Sequence, residues 1–419
     1  MKRLLLSLLF SFVTILFVYS QDTIKVMSYN LLNYGNYTSY CTTYNNNVET
    51  KNEYLRTIID YTLPDILGVV EISPNGTYIE DFKNNVLNQN GRDYYCNAPK
   101  TNYSGSSIIN MIYYDYRKVE LKHWLALATD YRDINLYTFY FKNDALKNGD
   151  TVYLTCIVTH LKAGHTDSDA IGRTAMAQKI MDFLSTINEN TNYLIMGDFN
   201  VYSSSEGAYQ QFTNHANQNI RFYDFINKYG VWSDNAYFAP YHTQSTHTTS
   251  DCFSGGGLDD RFDFILGNIN TITGQKGFKY VNDSYTTLGQ DGQHFNKGLL
   301  DAPINTSAPM DVLEALYGNS DHLPVLAKFI IDHSQSIIDI TLPIAYYIQN
   351  NQLYINIFDA FSSDASIYIY DVHGRILFSD QISNQTDQYT LDLNGLEKGI
   401  YLINIKTNDR FTSFKIVNI

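Results

Sequence analysis

The sequence predicts a layered domain of mixed strands and helices, α/β or α+β, followed by a small all-β domain. Three observations predict it. Short apolar, strand-like runs alternate with segments of helical spacing up to about residue 332. Composition shifts over 333–345, where "HSQSIIDITLP" carries no helix signal and ends at Pro343. Beyond that point every segment reads as strand or turn. A length of 419 residues also exceeds what one ordinary domain takes.

In chain order, the opening MKRLLLSLLFSFVTILFVYSQ joins basic Lys2 and Arg3 to an apolar stretch from Leu4 to Val18, with small Ser20 before Gln21. Residues 1–20 therefore read as a secretory signal peptide. No later stretch is long and apolar enough for a stable membrane span. "TIKVMSYN" (23–30) reads as a strand, and Val48, Leu55, Ile58 and Ile59 recur at helical spacing before Pro64. "DILGVVE" (65–71), "IINMIYY" (108–114) and "VYLTCIVTH" (152–160) are apolar runs of strand length. Met176, Ile180, Phe183, Leu184 and Ile187 mark a helix leading into the strand of "YLIMGDFNVY" (193–202). "RFDFILGN" (261–268) and "HLPVLAKFII" (322–331) complete the set. Between them, 268–310 is rich in Gly, Asn, Asp and Thr and reads as a long functional loop or a disordered insert. In the tail, "SIYIYDVHGRILFS" predicts a hairpin around Val372-His373-Gly374. Further turns are expected at Asn394-Gly395, Lys398-Gly399 and Asn408-Asp409, giving a β-sandwich-like domain without a cluster of titratable groups.

The formal charge of −14 argues against a general polyanion binder with a basic surface, so any attraction for phosphate must be local. The chain has four cysteines. Cys156 sits in an apolar run and reads as a core thiol. One disulfide among Cys41, Cys96 and Cys252 suits an oxidising compartment, with its pairing left open.

The polar residues of the first domain fall repeatedly at strand ends. Asn30, Glu71 and His160 end their strands, and Asp198 and Asn200 end theirs two residues apart, pointing the same way. Asp263 lies at the start of "DFIL", and Asp321 and His322 open the last strand. Each alone has an ordinary structural explanation, and Asp-x-Asn is commonly an Asx-turn. Together, at the ends of strands packed side by side, they would share one cleft. Carboxylate and amide oxygens are hard ligands that suit Mg²⁺, or Mn²⁺ or Ca²⁺, and no Cys-His spacing supports structural zinc. A hard cation beside histidines and spare carboxylates suits attack of water on a phosphate ester.

The blocks "MSYNLLNYG", "DILGVVE", "IVTHLKAG", "MGDFN", "RFDFIL" and "SDHLPV", in that order over roughly 22–332, resemble the endonuclease/exonuclease/phosphatase superfamily, which includes DNase I. The resemblance implies a four-layer sandwich of two packed β-sheets with helices outside. It implies Glu71 as the principal metal ligand with Asn30 and Asp321 nearby, and Asp198 as the acid that positions or deprotonates water. Asn200 would contact the scissile phosphate, and His160 would donate to the phosphate or the leaving oxygen. His322 would be held by Asp263. Arg132, in "YRDINLY", fits a position where such nucleases place a phosphate-binding arginine. Tyr113, Tyr114, Arg173, His242 and His294 are weaker candidates to line the groove.

The tail, with "YDVHGR" and "LEKGIY", resembles the sorting domain of the type IX secretion system. This implies export across the outer membrane, a partner in the type IX machinery, and a secreted or cell-surface destination. The organisation expected is a signal peptide at 1–20, a catalytic domain at 22–332, a linker at 333–345 and a sorting domain at 346–419. The function expected is a secreted, monomeric, Mg²⁺-dependent endonuclease hydrolysing extracellular DNA or RNA. A phospholipid or inositol-phosphate phosphodiesterase on the same fold and a non-catalytic surface protein are the alternatives.

Overall fold

The structure is a computed structural model. It describes residues 22–142, 150–187, 189–333, 337–338, 344–349, 351–357, 363–371, 375–384, 386, 388–407 and 411–418. The expected signal peptide and the turns at 372–374 and 408–409 lie outside these residues, as does most of the 333–345 segment. Chain contacts divide the protein into one unit of 1–144 with 152–336 and another of 145–151 with 337–419.

The first unit is built from β1 (Asp22–Tyr34), α1 (Val48–Thr62), β2 (Ile66–Ile72), α2 (Gly76–Asp81), β3 (Tyr95–Asn97), β4 (Ile109–Asp115), β5 (Val119–Leu127) and β6 (Ile134–Phe141). A short β7 (Asp150–Thr151) belongs to the second unit. The first unit resumes with β8 (Tyr153–Val158), α3 (Asp167–Ile187), β9 (Asn192–Asp198), α4 (Gly207–Thr213), β10 (Phe222–Asp224) and β11 (Asp263–Asn268). It ends with α5 (Ile269–Thr273), β12 (Phe278–Tyr280), β13 (Thr286–Thr287), α6 (Met310–Asn319) and β14 (Val325–Ile331).

These strands form two sheets. One runs β12-β14-β1-β2-β4-β3, with β13 also on β14, and the other runs β10-β11-β9-β8-β6-β5. Both are mixed. β1 and β2 pair in parallel, as do β8 and β9, while β14 and β11 run antiparallel to their neighbours β1 and β9. Period-two alternation gives each sheet an inner and an outer apolar face. Val26, Val70 and Ile112 of the first sheet meet Phe139, Cys156 and Met196 of the second in one buried core. On the outer face of the first sheet, Leu55 and Ile58 of α1 and Leu313 of α6 cover Met27, Leu67 and Met111. On the outer face of the second, Ile180 and Leu184 of α3 and Phe212 of α4 cover Ile157, Ile195 and Leu266. The result is the four-layer sandwich, helix–sheet–sheet–helix.

Helix α1 starts where the Asn47 side chain accepts a hydrogen bond from the Thr50 amide, and stops at left-handed Leu63 before Pro64. Its buried face includes Val48, Lys51, Leu55, Ile58 and Ile59. The expectation of a structureless 268–310 is corrected: this stretch holds α5, β12 and β13 and ends on the first residue of α6, and β12 and β13 both pair with β14. Its polar composition serves tight turns between short elements. Trp232 is fully buried, whereas Trp124 on edge strand β5 is 43% exposed.

The second unit contains β15 (Ile337–Ile338), β16 (Ile344–Gln349), β17 (Gln352–Ile357), β18 (Ala365–Tyr370), β19 (Ile376–Ile382), β20 (Gln388–Asp392), β21 (Gly399–Lys406) and β22 (Phe411–Asn418). Strands β16-β17-β20 and β19-β18-β21-β22 form two antiparallel sheets. Leu353, Ile355, Ile367, Ile403 and Ile405 pack between them, as a β-sandwich requires. Among the described residues no helix is long and apolar enough to cross a membrane.

Gly197 has φ +136°, and a Cβ there would lie 1.8 Å from the Thr159 carbonyl oxygen. Gly197→Ala should therefore destabilise the first unit by roughly 2–4 kcal/mol, measured as a lowered denaturant midpoint. An unchanged midpoint would contradict the close approach of β9 to the segment after β8.

Candidate active site

The two parallel pairs bring the C-terminal ends of β1, β2, β8 and β9 to the same rim. These ends carry Asn30, Glu71, His160 and Asp198. The antiparallel strands bring their N-terminal ends to that rim: Asp263 pairs directly with Asp198, and Asp321 and His322 lie just ahead of β14, separated from it by Leu323 and Pro324. The backbone bends as each strand ends, with left-handed φ at Leu32 (46°), Asn33 (52°), Glu71 (62°) and Asn200 (51°). Non-glycine residues seldom adopt this region, and such strain clusters where side chains are held for function.

One amide ties the centre together. The Asn30 Nδ2 donates to Glu71 Oε1 and to Asp198 Oδ2, each at 3.1 Å, while its Oδ1 accepts from the Leu32 amide at 2.9 Å. The Asn33 amide donates to the second Glu71 oxygen at 3.1 Å. His160 Nε2 stands 3.5 Å from Asp198 Oδ2 and 3.9 Å from Glu71 Oε1. On the other side of Asp198, His322 Nε2 is 3.7 Å from Oδ2, and His322 Nδ1 bonds Asp263 Oδ2 at 2.7 Å. The Asn200 amide caps Asp198 Oδ1 at 2.9 Å, and its side chain faces the Leu161 carbonyl at 3.4 Å. Asp-x-Asn is thus an Asx-turn and also part of the rim.

Burial sets the charge states. Asp198 is pushed up to about 7, chiefly by desolvation; His322 opposes the rise, and the Asp263 and Glu71 carboxylates add to it. Burial would lower His322, but the carboxylates of Asp263, Asp198 and Asp321 outweigh it and hold the imidazole well above its ordinary value. His160 is held well below, by burial first and then by the charges of Arg132 and His322. The site therefore pairs an imidazolium, His322, with a neutral imidazole, His160.

Ligand atoms of Glu71, His160 and Asp198 all lie within 4.8 Å of one another, the spacing of a cation site. Two carboxylate oxygens here share a single amide group and face an uncharged imidazole. This oxygen-rich donor set fits a hard divalent ion. Asp321 is not in this trio. Its Oδ2 accepts from the Ser254 amide at 2.9 Å and faces Gln244 Nε2 at 3.4 Å, while its buried Oδ1 has no partner. Arg132 lies close enough for its charge to act on His160, Glu71 and Asp198, and its buried Nε and Nη1 have no hydrogen-bond partner. A guanidinium left with open donors beside two acids suits an anionic ligand.

The weaker candidates fall elsewhere. Tyr113 and Tyr114 belong to the apolar cores. Arg173 bonds Glu206 and the carbonyls of Lys162 and Gly164, His242 bonds Trp232 and Leu258 carbonyls, and His294 bonds Asp291. Sequence reasoning missed two neighbours. Gln244, in a loop without periodic signal, places Nε2 2.7 Å from His322 Nε2. Lys51 is buried and pushed down to about 7 by desolvation, with Asp321 and Glu71 opposing the fall. Its signal was visible as a lysine on the apolar stripe of α1. The open disulfide resolves as Cys41–Cys252, with Cys96 and Cys156 free.

Residues 349–419 match the family model of the secretion system C-terminal sorting domain. That match marks the chain for type IX secretion, to the cell surface or beyond. No curated protein matches the chain. Among solved structures, an endonuclease/exonuclease/phosphatase family protein from Bacteroides thetaiotaomicron is 14% identical at TM-score 0.47, over 75% of this chain and 100% of its own. One from Bacteroides vulgatus is 15% identical at TM-score 0.45, over 74% and 100%. D. rerio TDP2 complexed with single strand DNA product is 13% identical at TM-score 0.45, over 74% and 99%. These are likenesses only; the four layers rest on the chain's own sheets and cores.

Two outcomes follow from the site geometry. By NMR titration of the ring, His322 should remain protonated at pH 7 and should titrate at lower pH in Asp263→Asn, because the carboxylate that favours the imidazolium is gone; an unmoved titration would remove Asp263 from that role. Replacing both Cys41 and Cys252 by Ser should cost about 2–5 kcal/mol of stability, read from the denaturant midpoint, since the bond spans 211 residues of sequence.

Proposed function

We propose that the protein is a secreted, metal-dependent phosphodiesterase, an endonuclease that hydrolyses extracellular DNA or RNA with Mg²⁺, or with Mn²⁺ or Ca²⁺ in its place. The observation that carries this reading is the convergence of Glu71, Asp198 and His160 on one small volume, with the His322–Asp263 pair and Arg132 against it. Nucleic acid outside the cell is a source of phosphate, and the sorting domain directs the protein there.

Glu71 is the principal candidate to hold the cation, with Asp198 and His160 in reach and Asn30 and Asp321 supporting. When bound, the cation would neutralise charge on the phosphoryl and leaving oxygens. The remaining steps fall to the chain's own groups. Asp198, raised towards neutrality, orients water and accepts its proton. Asn30 keeps Asp198 and Glu71 together through its two donated bonds. The imidazolium of His322, fixed by Asp263, donates to a phosphoryl oxygen as negative charge builds there. Arg132 pairs with the substrate phosphate, Asn200 contacts the scissile group, and His160 donates to the phosphate or leaving oxygen. Local positive charge thus serves a chain whose formal charge is −14.

Plasmid DNA, structured RNA, sphingomyelin and an inositol phosphate, assayed side by side with and without Mg²⁺, test the reading. Cleavage of nucleic acid that stops with chelator is the expected result. Turnover that survives chelation, or confined to the lipid or inositol phosphate, would overturn it. His160→Ala and His322→Ala should each lower turnover by ~10²-fold or more in protein that circular dichroism shows to be folded. Glu71→Gln should raise the Mg²⁺ concentration needed for half-maximal rate.

A further inference from the structure

We propose that Lys51 is a positioning residue for the metal-binding carboxylates, acting through a single peptide unit. The inference rests on the phosphodiesterase reading for its purpose but not for its geometry. Lys51 projects from α1 into the interior and is 2% exposed. Its Nζ donates to the carbonyl of Leu32 at 3.2 Å and to the carbonyl of Asn319 at 2.5 Å. No carboxylate among the described residues hydrogen-bonds it. A buried ammonium without a bonded counter-ion is costly, and an apolar residue would serve the packing of α1 better.

The two carbonyls explain its place. The Leu32 carbonyl belongs to the same planar peptide unit as the Asn33 amide, and that amide donates to Glu71 Oε2. Lys51 therefore grips one edge of the peptide whose other edge holds the principal candidate ligand. Both flanking residues are left-handed, Leu32 at φ 46° and Asn33 at φ 52°. Leucine gains nothing locally from that conformation, so an outside contact must hold it. The same Leu32 returns its amide to Asn30 Oδ1, which sets the amide that bridges Glu71 and Asp198. The second carbonyl, of Asn319, precedes Ser320, whose hydroxyl bonds the Asn30 carbonyl at 2.8 Å and accepts the His322 amide at 3.1 Å. One ammonium thus fastens the end of β1 to the segment that carries Asp321 and His322. Asp321 and Glu71 in turn favour its charged form against the cost of burial.

The test is Mn²⁺ binding to the full chain, measured by electron paramagnetic resonance and so independently of turnover. Lys51→Met should weaken Mn²⁺ binding roughly 10–100-fold, the effect of losing a group that orients a metal ligand, and Lys51→Arg should recover part of it. Phosphodiester cleavage by Lys51→Met should recover towards the wild-type rate as metal is raised. If Lys51→Met does not fold, Lys51→Gln, which keeps a shorter, uncharged donor, is titrated instead, and a weakening of Mn²⁺ binding smaller than that expected for Lys51→Met is the expected result. Wild-type Mn²⁺ affinity in the folded variant would overturn the proposal. Wild-type protein that binds Mn²⁺ but cleaves no phosphodiester would overturn the functional reading while leaving the role of Lys51 intact. Wild-type protein that binds no Mn²⁺ would overturn both.

Discussion

Parallel pairing of β1 with β2, and of β8 with β9, is the constraint on which the site depends. Two parallel neighbours end at the same edge of a sheet, and stacking the sheets places both such edges together. An antiparallel neighbour must then contribute its beginning instead of its end. This is why Asn30, Glu71, His160 and Asp198 lie at or near the C-terminal ends of their strands, whereas Asp263 opens its strand and the Asp321–His322 pair lies just ahead of β14. The chemistry is scattered along the chain because the topology gathers it.

The same convergence creates an electrostatic difficulty. Glu71, Asp198, Asp263 and Asp321 lie close together, three of them almost wholly buried. Carboxylates removed from water repel one another and lose hydration unless donors or cations replace it. The chain answers with amides from Asn33, Asn200 and Ser254, the bridging Asn30 side chain, and three cationic groups at Lys51, Arg132 and His322. Asp198, which has an imidazolium beside it but is buried between carboxylates, holds its proton more tightly than an ordinary carboxyl. That raised affinity follows from burial and the balance of its neighbours and marks it as a group suited to move a proton.

Much of this was legible in the residues. The apolar runs that end in Asn, Glu, His or Asp announced the central strands, because burial on both faces makes such strands continuous and apolar. Edge strands were hidden for the complementary reason. In β5, Glu120, Lys122 and His123 interrupt the apolar pattern, since one face meets water, and the run does not read as a strand by composition. The segment 268–310 misled in the same way: its short elements gain their stability from pairing with β14, a long-range partner that local composition cannot show. Arg132 was suggested by resemblance, and its open donors are visible only in three dimensions. Lys51 stood in plain view on the apolar stripe of α1, yet a lysine there is ordinarily read as solvated. Its partners are backbone carbonyls, which carry no sequence signature.

The Cys41–Cys252 bond joins the loop that follows β1, the strand whose Asn33 amide holds Glu71, to the loop whose Ser254 amide holds Asp321. Such a bond persists where thiols oxidise and is rare in a reducing cytoplasm. Maturation of the pocket is therefore coupled to the compartment: while thiols stay reduced, the two loops lack their covalent clamp, and passage into an oxidising space supplies it. Export then does more than deliver the protein, since it completes the rim on which two acids depend.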